Sequence, residues 1–256
     1  MAHHKLRIEA GKDPAVLRLV LDAAPGNILD LEMIEALRDA VRQAAANRDL
    51  KAVVFEGAGE HFSYGASIPE HRAGEIERVL PRFHDLFREL FDLGRPLVAV
   101  VRGRCLGGGL ELAAFCNWIF AAASAQFGQP EIRLGVFAPV ASLVLRERVG
   151  RSVAEALCLT GQIVLAEDAL ELGLVDYLAE DPREAADVWI EQNLLLHSAA
   201  ALHHAVRALR QPMRAAFLED LAAVERIYLE DLMHTEDARE GIAAFLEKRP
   251  ARWQNR

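Results

Sequence analysis

Arg104-Cys-Leu-Gly-Gly-Gly-Leu-Glu-Leu-Ala-Ala114 is the stretch on which the reading of the fold turns. It follows the apolar run Leu97–Val101 directly, so an extended segment passes through three glycines into a helical pattern. Gly107, Gly108 and Gly109 carry no side chains, which leaves their backbone N–H groups open to a ligand. The first N–H groups of a helix lack internal partners, and the helix dipole favours negative charge beside them. Glu111 falls in the first turn. The pattern therefore predicts a place to hold an oxyanion, with an acid or base within reach.

Outward from this stretch, strand and helix patterns alternate. Val16–Leu21 and Lys51–Phe55 read as strands, and Asp30 is placed to cap a helix running to about Ala46. Met33, Ile34, Leu37, Val41 and Ala44 share one face of that helix. Ile76, Val79, Leu80, Phe83, Phe87, Leu90 and Phe91 recur at helical spacing, with Pro81 inside the run marking a kink or a late start. Trp118–Ala121 and Leu174–Leu178 are further strand patterns. The alternation predicts an α/β core. From Pro182 onward the pattern is helical: Arg183–Ser198, Ala199–Leu209, Arg214–Leu232 and Asp237–Lys248. The expected organisation is a core over residues 1–190 and a helical region over 191–256, whose apolar residues cover the core or a neighbouring subunit.

Composition narrows the function classes. The 256 residues carry a net charge of −9, which repels phosphate backbones and anionic lipid surfaces. Nucleic acid and membrane are therefore not expected partners. Cys105, Cys116 and Cys158 are three, in apolar surroundings, and read as free thiols of a reducing compartment, with a cytoplasmic location expected. The segment Met1–Arg7 has no apolar signal core, and no run of about 18 apolar residues occurs. No Cys-x-x-Cys or His-Glu-x-x-His spacing suggests a metal. Gly57-Ala-Gly59 opens like a dinucleotide fingerprint but has Phe62 at the third glycine position. No Gly-x-Ser-x-Gly elbow is present.

Two further segments complete a constellation with Leu106–Glu111: Glu60-His-Phe-Ser-Tyr-Gly-Ala-Ser-Ile-Pro69 and Gln126-Phe-Gly-Gln-Pro-Glu131. With Leu159-Thr-Gly161, Ala169-x-x-x-Gly173-Leu-Val175 and Glu240–Lys248, their order and spacing resemble the crotonase superfamily, the enoyl-CoA hydratase/isomerases, over essentially the whole chain. The resemblance implies a crotonase-like spiral of βαβ units with a C-terminal helical trimerisation region. It implies a homo-oligomer, a trimer or a dimer of trimers (a hexamer). It also implies an acyl-CoA thioester substrate and no metal or redox cofactor, coenzyme A being part of the substrate. By motif position the backbone N–H groups of Ala66 and Gly108 would hold the thioester oxygen as it becomes enolate-like. Glu111 and Glu131 stand where the family's hydratase carboxylates stand. Two carboxyl groups sharing one water can split into one ionised and one protonated form. Glu131 is expected to be the main proton donor and acceptor, and Glu111 to orient and activate the water, as a coupled pair.

The chain departs from typical hydratases in having Ser67 in place of an aspartate and Tyr64 in place of a small residue. Where they carry a glycine-rich loop it has Leu134-Gly-Val-Phe-Ala-Pro-Val-Ala-Ser142. Phe137, Pro139 and Val140 make that wall bulkier, and Tyr64 adds aromatic surface, whereas Phe62 reads as core. Tyr64 and Phe137 as pocket wall would suit a ring. Phe62–His71 and Gly135–Pro139 are similar to one branch, the cyclohexa-1,5-diene-1-carbonyl-CoA hydratases of anaerobic benzoyl-CoA degradation. These add water to a cyclic dienoyl thioester to give 6-hydroxycyclohex-1-ene-1-carbonyl-CoA. Retention of both glutamates favours hydration. A short-chain 2-enoyl-CoA hydratase, an isomerase or decarboxylase of the same superfamily, and an RNA-binding relative are the alternatives.

Overall fold

The computed structural model describes residues 5–256; residues 1–4, the start of the expected 1–190 unit and of the Met1–Arg7 stretch, lie outside the described residues. In chain order it runs β1 (Leu6–Ala10), β2 (Val16–Leu21), α1 (Leu31–Ala45), β3 (Ala52–Gly57), α2 (Ile76–Leu93), β4 (Leu97–Val101), β5 (Arg104–Leu106) and α3 (Gly108–Phe115). It continues with β6 (Trp118–Ala121), β7 (Gln126–Gly128), α4 (Pro139–Thr160), β8 (Ile163–Leu165), α5 (Ala166–Glu171), β9 (Tyr177–Leu178), α6 (Pro182–Asn193), α7 (Ala199–Arg226) and α8 (Glu236–Leu246).

Six strands form one sheet in the order β1-β2-β3-β4-β6-β9, antiparallel only between β1 and β2. Alternation along the strands sends side chains to two apolar layers. Val53, Phe55, Leu97, Ala99 and Val101 join the main core with α1 to α4. Val54, Val98, Val100 and Phe120 face the other way, onto Ala186, Ile190 and Leu194 of α6 and its end. A mostly parallel sheet covered on both faces has this continuous apolar reading.

A second, three-stranded sheet of β5, β7 and β8 positions the site. β4 leads into β5, and β6 leads into β7; each turn of the chain contributes one long strand and then one short one. The segment after β3 does the same with a single residue, Ser63, which forms a parallel bridge to Cys105. Cys105 in turn pairs with Phe127. Three successive turns thus lie side by side twice, first in the large sheet and then in the small one.

Several helix ends follow local chemistry. Asp30 caps α1 by accepting from the Met33 N–H. α2 runs unbroken from Ile76 to Leu93, with Pro81 in its second turn. Other boundaries differ from the sequence expectation. The Leu174–Leu178 strand is reduced to β9, because the Leu174 and Val175 N–H groups bond back to the Ala169 carbonyl and close the turn after α5. The helix expected over Arg183–Ser198 ends at Asn193, and Ser198 instead caps α7 through the Ala201 N–H. The two helices expected on either side of Pro212 are one, α7, followed by a π-helical turn, Ile227–Asp231, and a 3-10 turn, Leu232–His234. Phe217 and Leu221 of α7 belong to the main core, and their packing carries the helix on past its proline. The three cysteines are free thiols, Cys158 half-buried and the others buried. Among the described residues no helix is long and apolar enough to cross a membrane.

Candidate active site

The site lies where three chain segments leave the small sheet together. Ser63 N–H donates to the Arg104 carbonyl and accepts, through its own carbonyl, from the Leu106 N–H, both at 3.0 Å. Gly107 N–H donates to the Gly128 carbonyl at 3.0 Å. The loop Tyr64–Ser67, the start of α3 and the segment Gln129–Glu131 are therefore neighbours because Ser63, β5 and β7 are neighbours.

The first loop is tied from beneath. Asn27, buried and left-handed at φ 48°, donates its amide to the Ala58 and His61 carbonyls at 3.0 and 2.8 Å. Its own carbonyl accepts from the Ser63 hydroxyl at 2.7 Å, and that hydroxyl accepts from the Gly65 N–H at 3.0 Å. Leu29 N–H reaches the Gly65 carbonyl at 2.9 Å. No motif in the sequence singles out Asn27, yet its side chain and carbonyl are the brace of the loop that carries Ala66.

The glycines have separate reasons. Gly65 has φ +94°, and a Cβ there would stand 2.7 Å from the Leu106 carbonyl and 3.1 Å from the Gly108 nitrogen. Gly107 has φ +53°, and its Cβ would stand 2.4 Å from a carboxyl oxygen of Glu131. Both positions need the left-handed backbone and the close approach that glycine permits. Gly109 lets α3 pack on Ser63, where a Cβ would meet the Ser63 Cβ at 2.7 Å. At Gly108 a Cβ would be in ordinary contact, 3.5 Å from the Ala66 nitrogen. The Ala66 and Gly108 nitrogens are thus brought to the same place from two loops. Neither N–H donates to an acceptor among the described residues.

Glu111 is 4% exposed and, among the described residues, has no ion-pair partner. One carboxyl oxygen accepts from the Ala141 N–H at 2.7 Å, and the Val140 N–H adds a second bond. These are the first N–H groups of α4, whose Pro139 needs no partner. The wall expected to be merely bulky and apolar thus also supplies the donors that hold Glu111. Burial outweighs those donors and pushes the carboxyl up to about 7. Glu131, in a 3-10 turn after β7, keeps some exposed surface, but its carboxyl is enclosed. Burial and the nearby Glu111 push it up to about 8. Gln129, 1% exposed, lies between the two loops: its amide nitrogen donates to the Gly107 carbonyl at 3.3 Å, which turns its oxygen to the Glu131 carboxyl. An amide oxygen beside a carboxyl is satisfied when that carboxyl carries a proton. The alternative amide orientation instead donates to the Glu131 oxygens at 2.9 and 3.2 Å.

The two aromatic residues singled out as pocket wall lie on different flanks. Tyr64 packs over Gly26 and lies 4.9 Å from the His61 ring, with the Arg104 guanidinium 5.3 Å from its centre. Phe137 makes an edge-on contact with Tyr228 at 5.3 Å, in an apolar cluster with Ile76, Val136 and Met233. Phe62 is fully buried, as core. Tyr228 escaped the sequence reading: it stands in a helical tail with no motif around it, and only its place in the fold brings it near the glutamates.

The family described as Enoyl-CoA hydratase/isomerase matches residues 12–256. A cyclohexa-1,5-dienecarbonyl-CoA hydratase of Thauera aromatica is 45% identical over 255 residues, covering 100% of this chain and 99% of that relative. A 2,3-dehydroadipyl-CoA hydratase of Escherichia coli (strain K12) is 34% identical, covering 94% and 96%. Among solved structures, an enoyl-CoA hydratase from Mycobacterium avium subsp. paratuberculosis K-10 superposes with a TM-score of 0.87 at 25% identity, over 99% of this chain and 100% of that one. With its α/β sheet, its helical C-terminal region and a match along almost its whole length, this chain belongs to the enoyl-CoA hydratase/isomerase family.

Proposed function

We propose that this protein is a hydro-lyase that adds water to cyclohexa-1,5-diene-1-carbonyl-CoA, giving 6-hydroxycyclohex-1-ene-1-carbonyl-CoA, in the breakdown of benzoyl-CoA. The whole-length 45% identity to the Thauera aromatica hydratase supports the substrate. The observation that carries the chemistry is the pair Glu111 and Glu131: two enclosed carboxyl groups that burial and each other's proximity keep from both ionising.

The reaction can be written atom by atom. Oxygen from water attacks C2, the carbon β to the thioester. The C1=C2 electrons move toward the carbonyl and give a dienolate, whose oxygen accepts from the Ala66 and Gly108 N–H groups. The carbonyl then re-forms, the new double bond lies between C1 and C6, and C5 takes the proton. Counting round the ring the other way, this is the 6-hydroxy-1-ene. Addition at C6 of the original diene would leave charge on C5 with no path to the thioester. Ionised Glu111, held by the N–H groups of α4, orients the water and draws on its proton. Protonated Glu131 supplies the proton to carbon, and the pair returns to its starting state with one proton shared. Water addition changes no net oxidation state, so the scheme draws on no redox cofactor and routes no step through a metal. Preorganised donors at the developing oxyanion are worth about 3–4 kcal/mol of barrier each.

The same reading divides the chain into a core carrying the site, residues 1–190, and an oligomerisation region, 191–256, assembled as a trimer or a dimer of trimers in the cytoplasm. Tyr64 and Phe137, on different flanks, are the aromatic walls that favour a ring. A short-chain 2-enoyl-CoA hydratase would use the same pair, and the 34% identity to the 2,3-dehydroadipyl-CoA hydratase supports keeping it in the test. The test is a steady-state assay with cyclohexa-1,5-diene-1-carbonyl-CoA beside crotonyl-CoA, products resolved by chromatography and mass. Fast hydration of the ring diene with little turnover of crotonyl-CoA is the expected result. Crotonyl-CoA hydration alone would move the protein to the short-chain hydratases, and double-bond migration without water uptake would make it an isomerase.

A further inference from the structure

Tyr228 is 1% exposed, yet its hydroxyl has no hydrogen-bond partner among the described residues. Its ring meets Phe137 edge-on, in one apolar cluster with Ile76, Leu80, Met233 and Ile242, against which Ile68, two residues after Ala66, also packs. Burial first, then the charges of Glu131 and Glu111, push its ionisation far above the ordinary phenol range, so the hydroxyl stays protonated and lies within electrostatic reach of both carboxyls. It stands on the π-helical turn Ile227–Asp231, a backbone irregularity that occurs often at functional sites. A buried O–H left without an acceptor is costly, and one close to a pair of acids calls for an acceptor that binds there, such as water or a ligand oxygen.

Resting on the hydratase reading above, we propose that Tyr228 is a third polar residue of the site, whose hydroxyl donates a hydrogen bond to the oxygen being added, first as water and then as the ring hydroxyl of the product. The thioester oxygen is provided for by Ala66 and Gly108, so at the reacting carbons, beside the two glutamates, the added oxygen is the acceptor that comes with the reactants. Tyr228 therefore recognises a hydroxylated thioester over its deoxy counterpart, and Phe137 sets the angle of its ring.

The test is Tyr228→Phe in the full chain, which keeps the ring and removes only the oxygen. Affinities are measured for 6-hydroxycyclohex-1-ene-1-carbonyl-CoA and for cyclohex-1-ene-1-carbonyl-CoA, with wild type alongside. The expected result is about tenfold weaker binding of the hydroxy thioester and unchanged binding of the deoxy one, the scale of one lost hydrogen bond. Hydration of the dienoyl thioester should fall at least as far, while the melting temperature holds or rises because an unpartnered buried hydroxyl has gone. Equal losses on both thioesters, no loss on either, or a lowered melting temperature with unchanged hydroxyl preference would overturn the proposal. If wild type fails to hydrate the ring diene, the substrate reading fails by itself. The same affinity comparison with 3-hydroxybutyryl-CoA and butyryl-CoA then decides the role of Tyr228.

Discussion

Two buried clusters of carboxylates lie in this molecule, and they are built in opposite ways. Glu56, 4% exposed, meets Arg18 and Arg102 at 2.8 Å and Arg183 at 3.5 Å, with Asp187 also on Arg18. Glu111, equally buried, forms no ion pair among the described residues, and the carboxyl on which its charge acts is a second acid, Glu131. In the first cluster every charge is answered, and removing one member would leave buried charges stranded. In the second, the fold withholds a counter-ion, so a proton must supply the neutralisation. A carboxylate whose charge is answered ties α6 to the sheet; one whose charge is not answered is ready to exchange a proton near neutral pH.

The contrast can be broken from either side. Glu131→Gln should lower hydration by about 10²–10⁴-fold, the usual span for a lost general acid, while the protein stays folded. Steady-state rates with circular dichroism check this. Glu56→Gln should do the reverse. It should cost about 3–5 kcal/mol of stability, measured by urea unfolding, and leave KM for the thioester unchanged.

The pH dependence follows from the same pair. Both folded-state pKa values lie above 4.5, at about 7 and about 8. The native protein therefore holds protons that the unfolded chain has released. Stability must fall as pH rises from about 4.5 through about 8, because the unfolded chain releases these protons first. Melting curves at pH 5 and pH 8.5 should show this fall in wild type, and Glu131→Gln should remove much of it by melting higher than wild type at pH 8.5. Hydration, which needs one ionised and one protonated member, should decline below about pH 7 and above about pH 8.

The smallest effects separate the glycines. Gly107→Ala puts a side chain at φ +53° against Glu131 and should cost about 1–3 kcal/mol. Gly108→Ala should be nearly neutral for stability, since its methyl group has room, yet it should raise KM or lower kcat because that methyl lies beside the Ala66 N–H. Thermal melts and kinetics on both variants test whether the glycines serve the fold and the site separately.

Much of this was legible in the chain. The spacing of Met33, Ile34, Leu37 and Val41 describes a helix whose buried face is the observed one, and Asp30 caps it as its chemistry requires. Val16–Leu21, Leu97–Val101 and Trp118–Ala121 coincide with their apolar runs. The short strands β5, β7 and β8 did not stand out, because three residues are too few to display a period. Pro212 suggested a break that packing of Phe217 and Leu221 overrides.

The sequence by itself determined which residues could do chemistry: Glu111 at the head of a glycine-opened helix, Glu131 after Gln-Pro, and two glycine loops able to present bare N–H groups. Local pattern suffices there, because side-chain type and periodicity are properties of neighbours along the chain. The tertiary structure alone decided that these pieces meet. Parallel pairing of Ser63 with Cys105 and of Cys105 with Phe127 stacks three distant turns and lines up their ends. It also decided that the N–H groups of α4 hold Glu111, that Glu111 has no ion-pair partner among the described residues, and that a tyrosine from the helical tail feels the charges of both glutamates. A pKa near neutrality is set by what surrounds a carboxyl in space, and those surroundings come from elements far apart in the chain.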